Sequence, residues 1–93
     1  MIEYKFIGWC KEDNHDKVWG VIDIGNHRCV TFWGRRGKKL QTKISDFNYE
    51  IHRLIQTKIN KGYIRIDKSK LDKVYPEFED DLEKTAVMAI LKN

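Results

Sequence analysis

Four stretches of this chain alternate apolar and polar side chains with a period of two, and short polar or glycine-bearing segments separate them. Over residues 2–9, Tyr4 and Phe6 fall on one side and Glu3 and Lys5 on the other. Over residues 18–24, Val18, Gly20, Ile22 and Ile24 share a side. Over residues 28–35, Val30 and Phe32 point one way and Thr31, Trp33 and Arg35 the other, and a fourth stretch begins at Leu40 and runs to Ile44. Period two is the mark of a half-buried strand, because successive side chains leave opposite faces. The connectors are short: a polar loop over residues 11–16, a tight turn at Gly25-Asn26, and a turn at Gly37, which suits a positive φ. Strands joined this way pair antiparallel with their sequence neighbours.

The period then changes to that of a helix. Phe47, Ile51, Leu54, Ile55 and Ile59 recur at spacings of three and four and define one apolar face. Asn48 is the expected N-cap, Glu50 suits the positive end of the helix dipole, Lys58 and Lys61 suit the other end, and Gly62 is the expected residue after the cap. Residues 63–67 alternate again as a short fifth strand. Beyond them, Pro76 and the acids Glu77, Glu79, Asp80 and Asp81 open a second helix ending near Leu91. Its face of Phe78, Leu82, Ala86, Ala89 and Ile90, widened by Val87, Met88 and Leu91, needs something to pack against. The fold class that results is α+β: an antiparallel sheet of four to five strands, one helix packed across a face, and a C-terminal helix. Residues 1–67 form the sheet-and-helix domain and residues 68–93 an acidic helical extension of it.

A chain of 93 residues is one domain with one modest core, burying about 60–65% of its unfolded surface. No apolar run reaches the roughly 18 residues of a membrane span, and the opening residues lack a charged-then-apolar signal layout, so a cytoplasmic location without membrane contact is expected. Cys10 would end the first strand and Cys29 begin the third, at opposite ends of the sheet, which predicts two free thiols. His15 with Asp13 and Asp16 matches no established ligand spacing, so no metal or other cofactor is expected. No nucleophile–base pairing, phosphate-cradling glycine loop or carboxylate dyad is apparent, and the chain is read as a non-enzyme.

Charge is unevenly spread. Residues 1–70 hold 15 Lys/Arg against 8 Asp/Glu, a balance of +7, while residues 71–93 hold 3 against 6, a balance of −3. The basic part culminates in Phe32-Trp33-Gly34-Arg35-Arg36-Gly37-Lys38-Lys39-Leu40-Gln41-Thr42-Lys43, and no acid occurs between Asp23 and Asp46. Such a run favours a polyanionic partner. Strand alternation puts Trp33 and Arg35 together on the face opposite Val30 and Phe32, which reads as the face the core does not claim. Two roles are open to each. Trp33 is a stacking platform for a base or sugar, or it covers part of the second sheet face beneath the tail. Arg35 forks a phosphate, or it pairs with Asp23 on the neighbouring strand. Arg36, Lys38, Lys39 and Lys43 form either an electrostatic footprint for phosphates or a solvated basic turn.

The same residues resemble a WGR domain over about residues 2–63. The resemblance rests on Tyr4-Lys5-Phe6, Lys17-Val18-Trp19, Trp33-Gly34-Arg35-x-Gly37, Gln41-Thr42-Lys43 and Lys58-x-x-Lys61-Gly62-Tyr63, in the family's order. Leu40 departs from it, standing where a glycine commonly precedes the Gln. The family occurs in DNA-dependent poly(ADP-ribose) polymerases and as short bacterial modules. It implies an antiparallel sheet with one helix across a face, and DNA-break binding in which the motif Trp packs against the duplex end and the Arg serves DNA contact. Carried over by motif, those roles fall to Trp33 and Arg35. The expected function is therefore a nucleic-acid-binding module, the polymer being DNA, that contacts phosphates through Arg35, Arg36, Lys38, Lys39 and Lys43 and stacks Trp33 on an end or an unpaired base. The alternative is a protein-interaction or inhibitor module that uses the motif face and the acidic C-terminal helix to hold a protein partner.

Overall fold

The computed structural model describes residues 3–12 and 15–67, together with Lys84, Thr85, Val87, Met88, Ile90 and Leu91. Strands β1 (Glu3–Glu12), β2 (His15–Gly25), β3 (Arg28–Arg35) and β4 (Gln41–Asp46) precede helix α1 (Tyr49–Asn60), and β5 (Ile64–Arg65) follows it. The sheet runs β4-β3-β2-β1-β5, and every pairing is antiparallel. The first four strands thus form the meander that short connectors dictate, and the chain crosses one face as α1 before β5 joins the other side of β1. Most of the C-terminal helix expected over residues 76–91 lies outside the described residues. The six residues described there have helical backbone but make up no bounded element. No helix among the described residues is long and apolar enough to cross a membrane.

Both faces of the sheet are buried, which corrects the expectation of one core face and one unclaimed face. Under α1 lie Phe6, Trp19, Val21 and Cys29, with Ile51 and Ile55 of the helix, and Trp33, Phe47 and Tyr63 packed at the margin. On the opposite face Ile7, Val18, Ile22, Val30, Phe32 and Ile66 make a second cluster, with Tyr4, Trp9, Ile24, Leu40 and Ile44 around it. The alternation in β2 and β3 assigned side chains to faces correctly. Which face the helix would take could not be read from it, and the helix took the Trp33 side.

Two local departures follow from pairing. Tyr4 and Phe6 do not share a face, because a β-bulge between them shifts the register, and each enters a different cluster. The expected polar loop over residues 11–16 is mostly strand: Lys11 pairs with Asp16 and Glu12 with His15, so the hairpin extends past its apolar part. Opposite charges facing across a ladder favour that continuation.

Helix α1 begins as expected, with the Asn48 side chain accepting from the Glu50 amide at 3.0 Å. Its buried stripe is narrower than the sequence period suggests. Only Ile51 and Ile55 are buried, and Leu54 and Ile59 are more than a third exposed. The thiols of Cys10 and Cys29 are free and stand opposite Lys17 and Asp23, at the two ends of β2. Burial raises the Cys29 thiol pKa, consistent with a packed, unreactive group.

Candidate functional site

The site is built where β3 meets the C-terminal end of α1. On β3, Trp33 stands opposite Trp19 of β2 and Gln41 of β4, and Arg35 stands opposite Lys17. All of these side chains leave the helix-bearing face; Trp19 is buried under α1, but Trp33 is only half-buried and Arg35 is exposed. A groove of about 380 Å3 remains. β2 lends it Lys17 and Trp19, and β3 lends it Trp33, Gly34 and Arg35. Lys58 of α1 and Tyr63 beyond it close the wall. None of the described lining residues is acidic.

The helix terminus places the last two side chains. The Tyr63 amide donates to the Lys58 carbonyl at 3.1 Å and the Gly62 amide to the Ile59 carbonyl at 3.0 Å. This pair of bonds is the Schellman termination, with Gly62 at φ 107°. It folds Tyr63 back beside Lys58, whose Nζ lies 5.8 Å from the Tyr63 ring centroid and 5.6 Å from that of Trp19. Both are cation–π distances. Desolvation holds the Lys58 pKa below its ordinary value, and the charges of Lys61 and Lys17 push the same way. Burial, and then the Cys10 thiol's charge, push the Tyr63 phenol up.

The residues expected to contact nucleic acid separate into four sets. Trp33 and Arg35 line the groove, Trp33 half-buried and Arg35 exposed. Asp23, the candidate acid for Arg35, pairs with Cys29 at the far end of β3 and is no neighbour of it. Lys38 and Lys39 are exposed in the turn leading to β4, which begins with the Lys38 amide donating to the Arg35 carbonyl at 3.1 Å. Lys43 shares the sheet face of Trp33, but it lines a second trough, of about 540 Å3, with Arg53, Asp46 and Glu50. That trough carries both signs of charge.

Arg36 is elsewhere. Its Nε lies 3.0 Å from both carboxylate oxygens of Asp16, its Nη2 lies 2.9 Å from Oδ2, and its guanidinium stacks 5.4 Å from the Trp9 ring centroid. Trp9 belongs to the margin of the cluster opposite α1, so Arg36 faces away from the groove. Leu40, at the place where the WGR pattern commonly has glycine, packs over Gly34, where an added Cβ would lie 3.2 Å from Leu40 Cδ2.

Lys17, Trp19, Lys58 and Tyr63 were legible as parts of the motif pattern but not as groove walls. The signal for Lys17 was its place two residues before Trp19, which fixes a shared face. For Lys58 and Tyr63 it was the Gly62 cap. Among the described residues no three His, Cys, Asp or Glu side chains stand close enough to hold a metal ion.

The arrangement defines a class of surface, a cationic groove walled by aromatic rings. Comparison with protein families, characterised proteins and solved structures finds no match to this chain.

Proposed function

We propose that this chain is a nucleic-acid-binding module without catalytic activity, and that DNA, to which the WGR resemblance points, is its polymer. One observation carries the reading. Lys17, Arg35 and Lys58, drawn from three elements, converge on an aromatic groove with no acid in its described lining. Like charges gathered this way repel, and Lys58 is desolvated as well, an arrangement that a polyanion relieves. The Trp33 ring at the groove margin stacks on a terminal or unpaired base or its sugar. Arg35 forks a phosphate, Lys17 and Lys58 neutralise it, and the exposed Lys38 and Lys39 meet flanking phosphates. Such contacts position the strand without reading its sequence.

The test is a binding panel of blunt, nicked, 5′-phosphorylated and single-stranded DNA with wild type, Trp33→Ala and Arg35→Ala. If about four cations meet phosphates, log K falls against log salt with a slope near −3.6, and affinity drops on the order of 10²-fold between 50 and 200 mM salt. Trp33→Ala should cost about 1–3 kcal/mol on substrates with an end or an unpaired base. Affinity that ignores salt, or no binding to any substrate at low salt, overturns the reading.

A second reading is a protein-interaction module that uses the acidic tail. The exposure of Val87, Met88, Ile90 and Leu91 favours it. Deleting residues 76–93 abolishes partner capture under that reading, and under the first it leaves DNA affinity unchanged or raises it.

A further inference from the structure

Arg35 and Arg36 are adjacent cations with opposite fates. Alternation sends one into the groove and the other behind the sheet, yet the backbone around them has little stiffness of its own. Gly34 has φ 148° and Gly37 has φ 83°, so the pair is flanked by two residues in conformations that only glycine adopts freely. Beyond Gly37 the chain has no regular structure until β4 begins. Arg35 is held in the ladder opposite Lys17, and Asp16 holds Arg36 beyond it. Its carbonyl accepts the Arg36 amide at 2.9 Å, which extends the β2–β3 ladder one residue past Lys17 and Arg35. Its carboxylate takes the Arg36 guanidinium through Nε and Nη2. The Trp9 indole N–H donates to that same carboxylate, and the Trp9 ring carries the guanidinium. A single acid of β2 thus ties the end of β3 to β1.

We infer that Asp16 is a positioning residue for the groove: through Arg36 it fixes the end of β3 so that Arg35 faces the ligand, and Arg36 itself is not a phosphate contact. The inference rests on the groove being the nucleic-acid site. It reverses the sign of one expectation. If Arg36 contacted phosphate, Asp16 would be its competitor, and removing the acid would free a cation and strengthen binding. If Asp16 positions Arg35, removing it weakens binding even though the protein gains a unit of positive charge.

The experiment uses the full chain, Asp16→Asn, Arg35→Ala, and the two combined, with the DNA substrate that wild type binds best at low salt. Asp16→Asn should weaken binding roughly 2- to 30-fold, the range for substitutions that act through a packed network. In the Arg35→Ala background it should cost little more, because Asp16 acts through Arg35. A general structural defect would cost the same in both backgrounds. Tighter binding by Asp16→Asn, or an equal loss in both backgrounds, overturns the inference. Amide exchange gives an arm independent of the ligand: Asp16→Asn should speed exchange at residues 36–38 relative to the Val21 and Val30 amides. If wild type binds no substrate, the functional reading fails and exchange alone decides the clamp. Unchanged exchange overturns it.

Discussion

Gly20 sits within the alternation of β2, where its neighbours Val18 and Ile22 face the cluster opposite α1. A Cβ there would overlap the Phe32 ring, lying 2.5 Å from Phe32 Cε1 and 2.5 Å from the Phe6 carbonyl oxygen. Phe32 is fully buried and has nowhere to go. Gly20→Ala should therefore destabilise the protein by about 1–3 kcal/mol, the usual cost of overpacking, read as a lower urea midpoint at unchanged slope. A midpoint equal to wild type would contradict the packing. At Asp16 the chemistry is electrostatic. The hydrogen bond from Arg36 holds its carboxyl below the ordinary carboxylate value of 3.8, against a smaller opposing effect of burial. A folded-state pKa below the unfolded one means that the unfolded chain binds the proton more readily. The stabilisation is therefore complete above the ordinary value and is lost as pH falls through the lowered one. Asp16→Asn should flatten that part of the acid limb of a stability–pH curve, and a curve superimposable on wild type would count against the pairing. At this scale the sequence was half legible. Period two said that Trp33 and Arg35 share a face opposed to that of Phe32, and they do. It did not say that Asp16 waits for Arg36 twenty residues away, or that Phe32 fills the space over Gly20. Those facts depend on cross-strand register, which the chain does not write locally.

Helix α1 was legible at its ends and less so along its side. Asn48 and Gly62 announce start and stop through local backbone chemistry, which needs no tertiary partner. The buried stripe does need one. A single i, i+4 ridge, Ile51 and Ile55, meets the sheet, so Leu54 and Ile59 are left on the flanks. The bulge in β1 was hidden for a related reason. No glycine or proline marks it, and only pairing with β2 shows that Phe6 joins the helix side. Gly62 offers the sharpest prediction for this element. At φ 107° an L-residue is strained, and a Cβ would also approach Glu12 Oε1 at 3.3 Å. Gly62→Ala should cost about 1–2 kcal/mol for the left-handed backbone. The termination also sets Tyr63 beside Lys58, so the variant should shift the Tyr63 ring resonances and weaken DNA binding more than Asn48→Ala does. The N-cap change, costing about 1 kcal/mol, lies at the far end of the helix. Equal effects of the two on binding would mean that the terminus matters only for stability.

Across the whole molecule, the groove exists only because folding gathers charges that the sequence keeps apart. Lys17 comes from β2, Arg35 from β3 and Lys58 from α1. The basic run over residues 32–43 supplies one of the three, which is why composition pointed to a basic surface without locating this groove. The Lys58 pKa is lowered there, first by desolvation and then by the charges of Lys61 and Lys17. Two measurements should then move in opposite directions as pH rises through that lowered value, short of the ordinary lysine value of 10.5. The folded protein releases the Lys58 proton before the unfolded chain does, so this group's contribution to stability grows with pH. A bound phosphate favours the protonated amine, so affinity falls over the same interval. Tyr63 does not offset this, because its phenol is pushed above its ordinary value of 10.0 and stays neutral longer. Other lysines and tyrosines also titrate at alkaline pH, so the comparison is with Lys58→Met. That variant should bind more weakly at neutral pH and lose affinity less steeply as pH rises, at constant ionic strength. Parallel pH profiles for wild type and Lys58→Met would remove Lys58 from the binding surface. They would leave Arg35 and Lys17 to carry the groove without a cation from α1.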